Sequence, residues 1–106
     1  MIKHMVLFRF KEDAPQQAID AILAEYATFP VHYPKMRRFD IGRNISSRDD
    51  RFTHAFVIEF DNADDLDEYL NSGSHEEHVR ERFRPIIAER AIVSFRYDPQ
   101  VVGVQA

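Results

Sequence analysis

The chain has 106 residues, 14 lysines and arginines against 18 aspartates and glutamates, and no cysteine; this reads as one small acidic domain without disulfides, thiolate nucleophiles or zinc-thiolate sites. A net charge of -4 and no basic run longer than Arg37-Arg38 argue against nucleic acid or an anionic membrane as partner. No apolar run approaches the roughly 18 residues of a membrane span, and the opening MIKHMVLFRF carries charges and lacks a small-residue cleavage site, so the expected location is the cytoplasm.

The first ten residues alternate as a β-strand, with Ile2, His4, Val6, Phe8 and Phe10 on the bulkier face and Lys3, Met5, Leu7 and Arg9 on the other. KEDAPQQAIDAILAEYATFP predicts a loop and then a helix capped by Asp13, with an apolar stripe through Ile19, Ile22, Leu23 and Tyr26. Pro30 and Pro34 end it, and MRRFDIG predicts a weaker edge strand. After the polar connection NISSRDDR comes a strong strand, FTHAFVIEF, in which His54, Phe56, Ile58 and Phe60 share a face. Asn62 is placed to cap a short helix with Leu66, Tyr69 and Leu70 inward. The pair Ser74 and Glu77 predicts a capping box restarting the helix as HEEHVRERFRPIIAER, before a last strand AIVSFRY. Residues 99–106 read as a C-terminal tail to a domain over 1–98.

Strand, helix, strand, strand, helix, strand is the ferredoxin-like βαββαβ order, a four-stranded antiparallel sheet with two helices on one face. Both sheet faces carry apolar residues, so a homodimer with sheet packed on sheet is expected, turning the Phe8, Phe56 and Ile58 side toward the partner or the chain's own tail. A cavity within such an assembly would be the natural site for a small-molecule ligand.

Several stretches together carry a family resemblance: IKHMVLFRFK, the prolines and Met36 leading to FDIGRN, THAFVIEF, the tyrosine of DEYL followed by His75, and VSFRY. In this ordered set the chain resembles the stress-responsive dimeric α/β-barrel (Dabb) family, small ferredoxin-like subunits that mostly have no established activity. One plant member of that family closes a linear polyketide thioester by an intramolecular aldol reaction without cofactor or metal. The resemblance implies a cavity lined by His4, Tyr26, His54, Tyr69 and His75, with Phe8 and Phe56 as apolar contacts. It makes His75 the base, Tyr69 its positioning partner and His54 a further catalytic group. Ser72 and Gly73 stand where many members have a histidine-proline pair.

Helix geometry separates the two histidines of HEEH. His75 lies four residues before Val79 and joins the stripe of Val79, Phe83, Ile86 and Ile87, whereas His78 falls beside Arg82 on the solvent side and is expected to be dispensable. Tyr26 continues the helical stripe of Ile22 and Leu23 and reads as core ahead of catalytic. His4 and His54 lie near the starts of antiparallel neighbours, which leaves open whether they reach one cavity. HEEH has the wrong spacing for the HExxH zinc pair, and three glycines, none in a strand-to-helix turn, exclude a nucleotide loop, so neither metal nor cofactor is expected. Three classes of function follow: a cofactor-free enzyme of cyclase or lyase type acting on an oxygen-rich substrate, a non-catalytic small-molecule binder, and a stress-associated dimer whose cavity is incidental.

Overall fold

A computed structural model describes residues 1–98, so the expected tail at 99–106 lies outside the described residues. The elements are β1 (Ile2–Phe10), α1 (Gln16–Tyr26), α2 (Phe29–His32), β2 (Arg38–Arg43), β3 (His54–Phe60), α3 (Ala63–Leu70), α4 (Gly73–His78) and β4 (Ile87–Arg96). Between α4 and β4 the chain makes a π turn over Val79–Phe83 and a 3-10 turn over Arg84–Ile86. The sheet order is β2-β3-β1-β4, antiparallel throughout, which is the ferredoxin-like arrangement.

Strand alternation sorts the sheet into two faces. In register, His4 lies opposite Ile58 and Ser94, Val6 opposite Phe56 and Ile92, and Phe8 opposite His54 and Arg90. This face packs on the chain's own helices. Phe8, Ile58 and Phe60 are fully buried there, together with Ile22, Tyr26, Phe29, Leu66, Tyr69 and Phe83. The expectation that a partner or the tail would cover the Phe8, Phe56 and Ile58 side is therefore overturned. The helices bring large rings of their own, and these pack against the face bearing the large side chains. The face left open carries Met5, Leu7, Ala55, Val57, Ala91, Val93 and Phe95.

Helix ends depart from expectation for local reasons. Pro15, not Asp13, precedes α1; its extended ψ of 135° presents its carbonyl to the amides of Ala18 and Ile19, while Gln16 bonds Asp20. Asn62 caps α3 as expected, accepting the Asp65 N–H at 2.9 Å. Ser72 rather than Ser74 caps α4. Its hydroxyl donates to the Tyr69 carbonyl at 2.8 Å and accepts the His75 N–H at 3.2 Å, starting the helix two residues early. Ser74 instead meets the Tyr33 hydroxyl at 2.9 Å. Pro85 brings no N–H to a longer helix, and β4 starts at Ile87, ahead of the expected AIVSFRY.

Phe8 is 0% exposed and touches the rings of Phe10, Tyr26, His54, Phe56 and Phe83. Phe8→Ala is expected to cost about 3–5 kcal/mol in urea denaturation. Ile45→Ala, at a side chain 98% exposed, should stay within about 0.5 kcal/mol in the same experiment.

Candidate functional site

The segment from α3 through the π turn does not close fully on β1 and β4. It leaves an apolar cavity of about 250 Å³. Val6, Phe56, Val79, Phe83 and Ile92 supply its greasy walls, and His4, Tyr26, Tyr69, His75 and His78 supply its polar groups, with Arg90 and Ser94 along β4.

His78 is the main correction to the expected site. It is 3% exposed, buried and central. The Arg84 N–H bonds the Val79 carbonyl, five residues back, which widens the turn. Residues five apart then share a face, and the His78 and Phe83 rings lie 6.2 Å apart on the inner side. A regular helix through these residues would have turned His78 outward, as its sequence periodicity predicted.

The partners of His78 define its protonation. Its Nδ1 stands 2.8 Å from Glu25 Oε1 and, since a carboxylate only accepts, Nδ1–H is the donor. Nε2 is then the lone-pair nitrogen of the neutral ring and accepts the Tyr26 O–H at 3.0 Å. Behind Glu25, Arg82 donates from Nε to both carboxylate oxygens at 2.9 Å and closes an ion pair from Nη2 at 2.8 Å. Burial opposes ionisation of Glu25, but the hydrogen bonds from Arg82 and His78 outweigh it and hold the carboxyl below its ordinary range. Burial lowers the His78 pKa, with Glu25 pulling the other way. The result is a fixed chain of guanidinium, carboxylate, imidazole and phenol.

A second cluster faces it. His75 is half-buried, its ring centroid 4.5 Å from that of Tyr69, and its Nδ1–H donates to the Leu70 carbonyl at 3.2 Å, leaving Nε2 as the basic nitrogen. Burial lowers its pKa too. Tyr69 is 4% exposed, yet its hydroxyl has no hydrogen-bond partner among the described residues. Burial raises the pKa of both Tyr26 and Tyr69, so both phenols remain donors at neutral pH. His4 bonds Ser94 Oγ through Nδ1 at 2.7 Å. Burial, with help from the charge on His75, pushes its pKa down to about 4.

Of the remaining expected residues, Phe56 lines the cavity and Phe8 does not, being sealed in the core beneath it. His54 is not brought to the site. The register sets it opposite Phe8, four positions along β1 from His4, or about 13 Å. There it stacks on Phe8 at 5.5 Å, bonds Thr53 Oγ1 at 2.8 Å and borders a broader hollow beside α1 and β2. Sequence reasoning missed Glu25, Arg82, Ser94 and Arg90. The spacing of His78 and Arg82, four apart on one helical face, was the available sign of a shared acidic partner. Among the described residues no group of three or more histidines, aspartates and glutamates converges to hold a metal ion, and no helix is long and apolar enough to cross a membrane.

Fold and cavity together define a ferredoxin-like α+β domain with an imidazole- and phenol-lined pocket under its helices. The chain belongs to the Dabb family, the stress responsive A/B barrel domain, which it matches over residues 2–97. Among solved structures it is similar to the hydroxynitrile lyase of Passiflora edulis, with 25% identity, 95% of this chain and 96% of that one covered, and a TM-score of 0.83. A protein of Arabidopsis thaliana shares the fold at 23% identity and TM-score 0.82 over 98% of this chain and 100% of that one. A dimeric ferredoxin-like protein of unknown function from Thermobifida fusca does so at 20% identity and TM-score 0.76 over 91% and 90%. No curated protein matches the sequence.

The low pKa of His4 has a consequence for stability. The unfolded chain takes up this proton near about pH 6.5, the folded one only near about 4. Between these values the unfolded state holds more protons, so stability falls as pH falls through that window. His75 and His78, also lowered, act in the same direction. The melting temperature should drop on acidification from about pH 7 to 4, and His4→Asn should make that drop shallower in a thermal-melt series across pH.

Proposed function

We propose that the chain is a cofactor-independent acid-base enzyme of lyase or cyclase type, making or breaking a carbon-carbon bond beside a carbonyl in a small oxygen-rich molecule. The observation that carries this reading is the Glu25, His78 and Tyr26 chain ending at an apolar cavity. A neutral imidazole backed by a carboxylate is a general base held in one tautomer. The proton of an activated C–H or O–H passes to the Tyr26 oxygen as the Tyr26 proton passes to His78 Nε2, and Glu25 stabilises the imidazolium. Tyr69, whose hydroxyl is uncommitted, donates to the oxygen on which negative charge develops. His75 Nε2 accepts from the substrate on the opposite side and fixes its orientation. The similarity to a hydroxynitrile lyase supports the lyase class, since releasing a carbonyl from a hydroxylated carbon begins with removal of the hydroxyl proton.

Turnover of a panel of aryl cyanohydrins and linear β-polyketones by the purified chain tests this reading. His78→Ala should cost about 10²- to 10⁴-fold, His75→Ala and Tyr69→Phe less. Saturable binding of the panel with no turnover would make the chain a carrier. The pH profile separates the role of Glu25 from simple packing. The carboxylate raises the His78 pKa, and the base works only unprotonated, so Glu25→Gln should move the acid limb of the rate profile to lower pH while reducing kcat.

The same reading includes a homodimer. Met5, Leu7, Val57, Val93 and Phe95 form an apolar field on the open sheet face, bordered by the ion pairs Lys3 with Glu59 at 3.7 Å and Arg9 with Glu89 at 3.2 Å. That pattern of apolar centre and charged rim suits a second copy. Sedimentation should give twice the monomer mass, and Val57→Glu, which places a charge at the centre of that face, should give the monomer.

A further inference from the structure

Among the described residues Arg90 is the one permanently charged side chain lining the cavity. Its surroundings leave it uncommitted. Alternation along β4 puts it on the inner face in register with Phe8, and sends its neighbour Glu89 to the open face, where Glu89 pairs with Arg9. Arg82, the cation of the neighbouring polar chain, is held by Glu25 and Glu77. Among the described residues the Arg90 guanidinium has no hydrogen-bond or ion-pair partner.

From this arrangement we infer that Arg90 is a specificity residue, and that the substrate of this cavity is a carbonyl compound bearing a free carboxylate. This rests on the acid-base reading of the same site. A guanidinium offers a planar fork of donors matched to a carboxylate. Arg90 is solvent-exposed where it borders the cavity, and its charge offers an anion a point of attachment on a chain whose net charge of -4 otherwise disfavours one. The polarity of the cavity then orders the ligand. Its carboxylate lies at Arg90 and its apolar body crosses Ile92, Val79 and Phe83. The reacting carbonyl end reaches Tyr69, His75 and the Tyr26–His78 pair. A thioester or amide in place of the acid leaves the guanidinium unanswered.

The probe is β-benzoylpropionate, an aryl ketone with a terminal carboxylate, compared with its primary amide. Each is titrated into the full chain and followed by backbone amide NMR shifts. The wild type should bind the acid at least about 10-fold more tightly than the amide, and added salt should weaken only the acid. Arg90→Met should abolish the preference, and Arg90→Lys, which keeps the charge and loses the fork, should retain part of it. Equal affinities in the wild type, no binding of either probe, or a preference that survives Arg90→Met each overturn the inference. A preference that survives Arg90→Met while His78→Ala lacks turnover removes Arg90 as the specificity residue and keeps the acid-base reading. A preference lost in Arg90→Met while His78→Ala turns over normally keeps the anion site and removes the catalytic reading.

Discussion

β1 is hydrogen-bonded on both sides, to β3 and β4, and its alternation organises everything else. Ile2, His4, Val6 and Phe8 all go beneath the helices, each buried. A shift of one residue would put Lys3, Met5, Leu7 and Arg9 there instead and bury two charges without partners. The aromatic set that closes over β1, with Tyr26 and Phe29 from the α1 and α2 region and Phe83 from the π turn, is therefore complementary to only one register. His4 is carried into the core by that constraint and satisfied by Ser94 on the adjacent strand.

The polar chain from Arg82 to Tyr26 is the second organising feature. It ties α1 to the end of α4 across the core, through contacts between residues more than fifty positions apart in the chain. Each buried polar atom in it has a partner. Such a network holds only when complete, because removing one member leaves a charge or a donor stranded in a low-dielectric interior. The same completeness fixes the His78 tautomer, so one arrangement serves both folding and proton transfer.

The π turn joins these two features. A five-residue turn is uncommon and less favourable than a regular helical one. Here it lets His78 and Phe83 face inward together while Glu77, Arg80 and Glu81 remain in solvent. The 3-10 turn Arg84–Ile86, with Pro85 at its middle, follows directly and hands the chain to β4, along which Arg90, Ile92 and Ser94 line the cavity.

The order of elements, the antiparallel sheet, the cap at Asn62, the inward placement of Tyr26 and Tyr69, and the shared strand face of His4 and Phe8 are legible in the sequence, because strand alternation and helical stripes are local periodicities. The family is legible as well, from short stretches in a fixed order. The fate of HEEH was not. Periodicity assumes a regular helix, and the inward seat of His78 ahead of the π turn is made by Tyr26 and Glu25, more than fifty residues away in the sequence. The same holds for His54, whose distance from His4 depends on the register of β1 with β3, and for Arg90 and Ser94, which reach the cavity only through the pairing of β4 with β1. Which sheet face the helices cover was also a tertiary decision, since both faces carry apolar residues and the choice rests on how the helix rings pack and on where the charges of Lys3 and Arg9 are left.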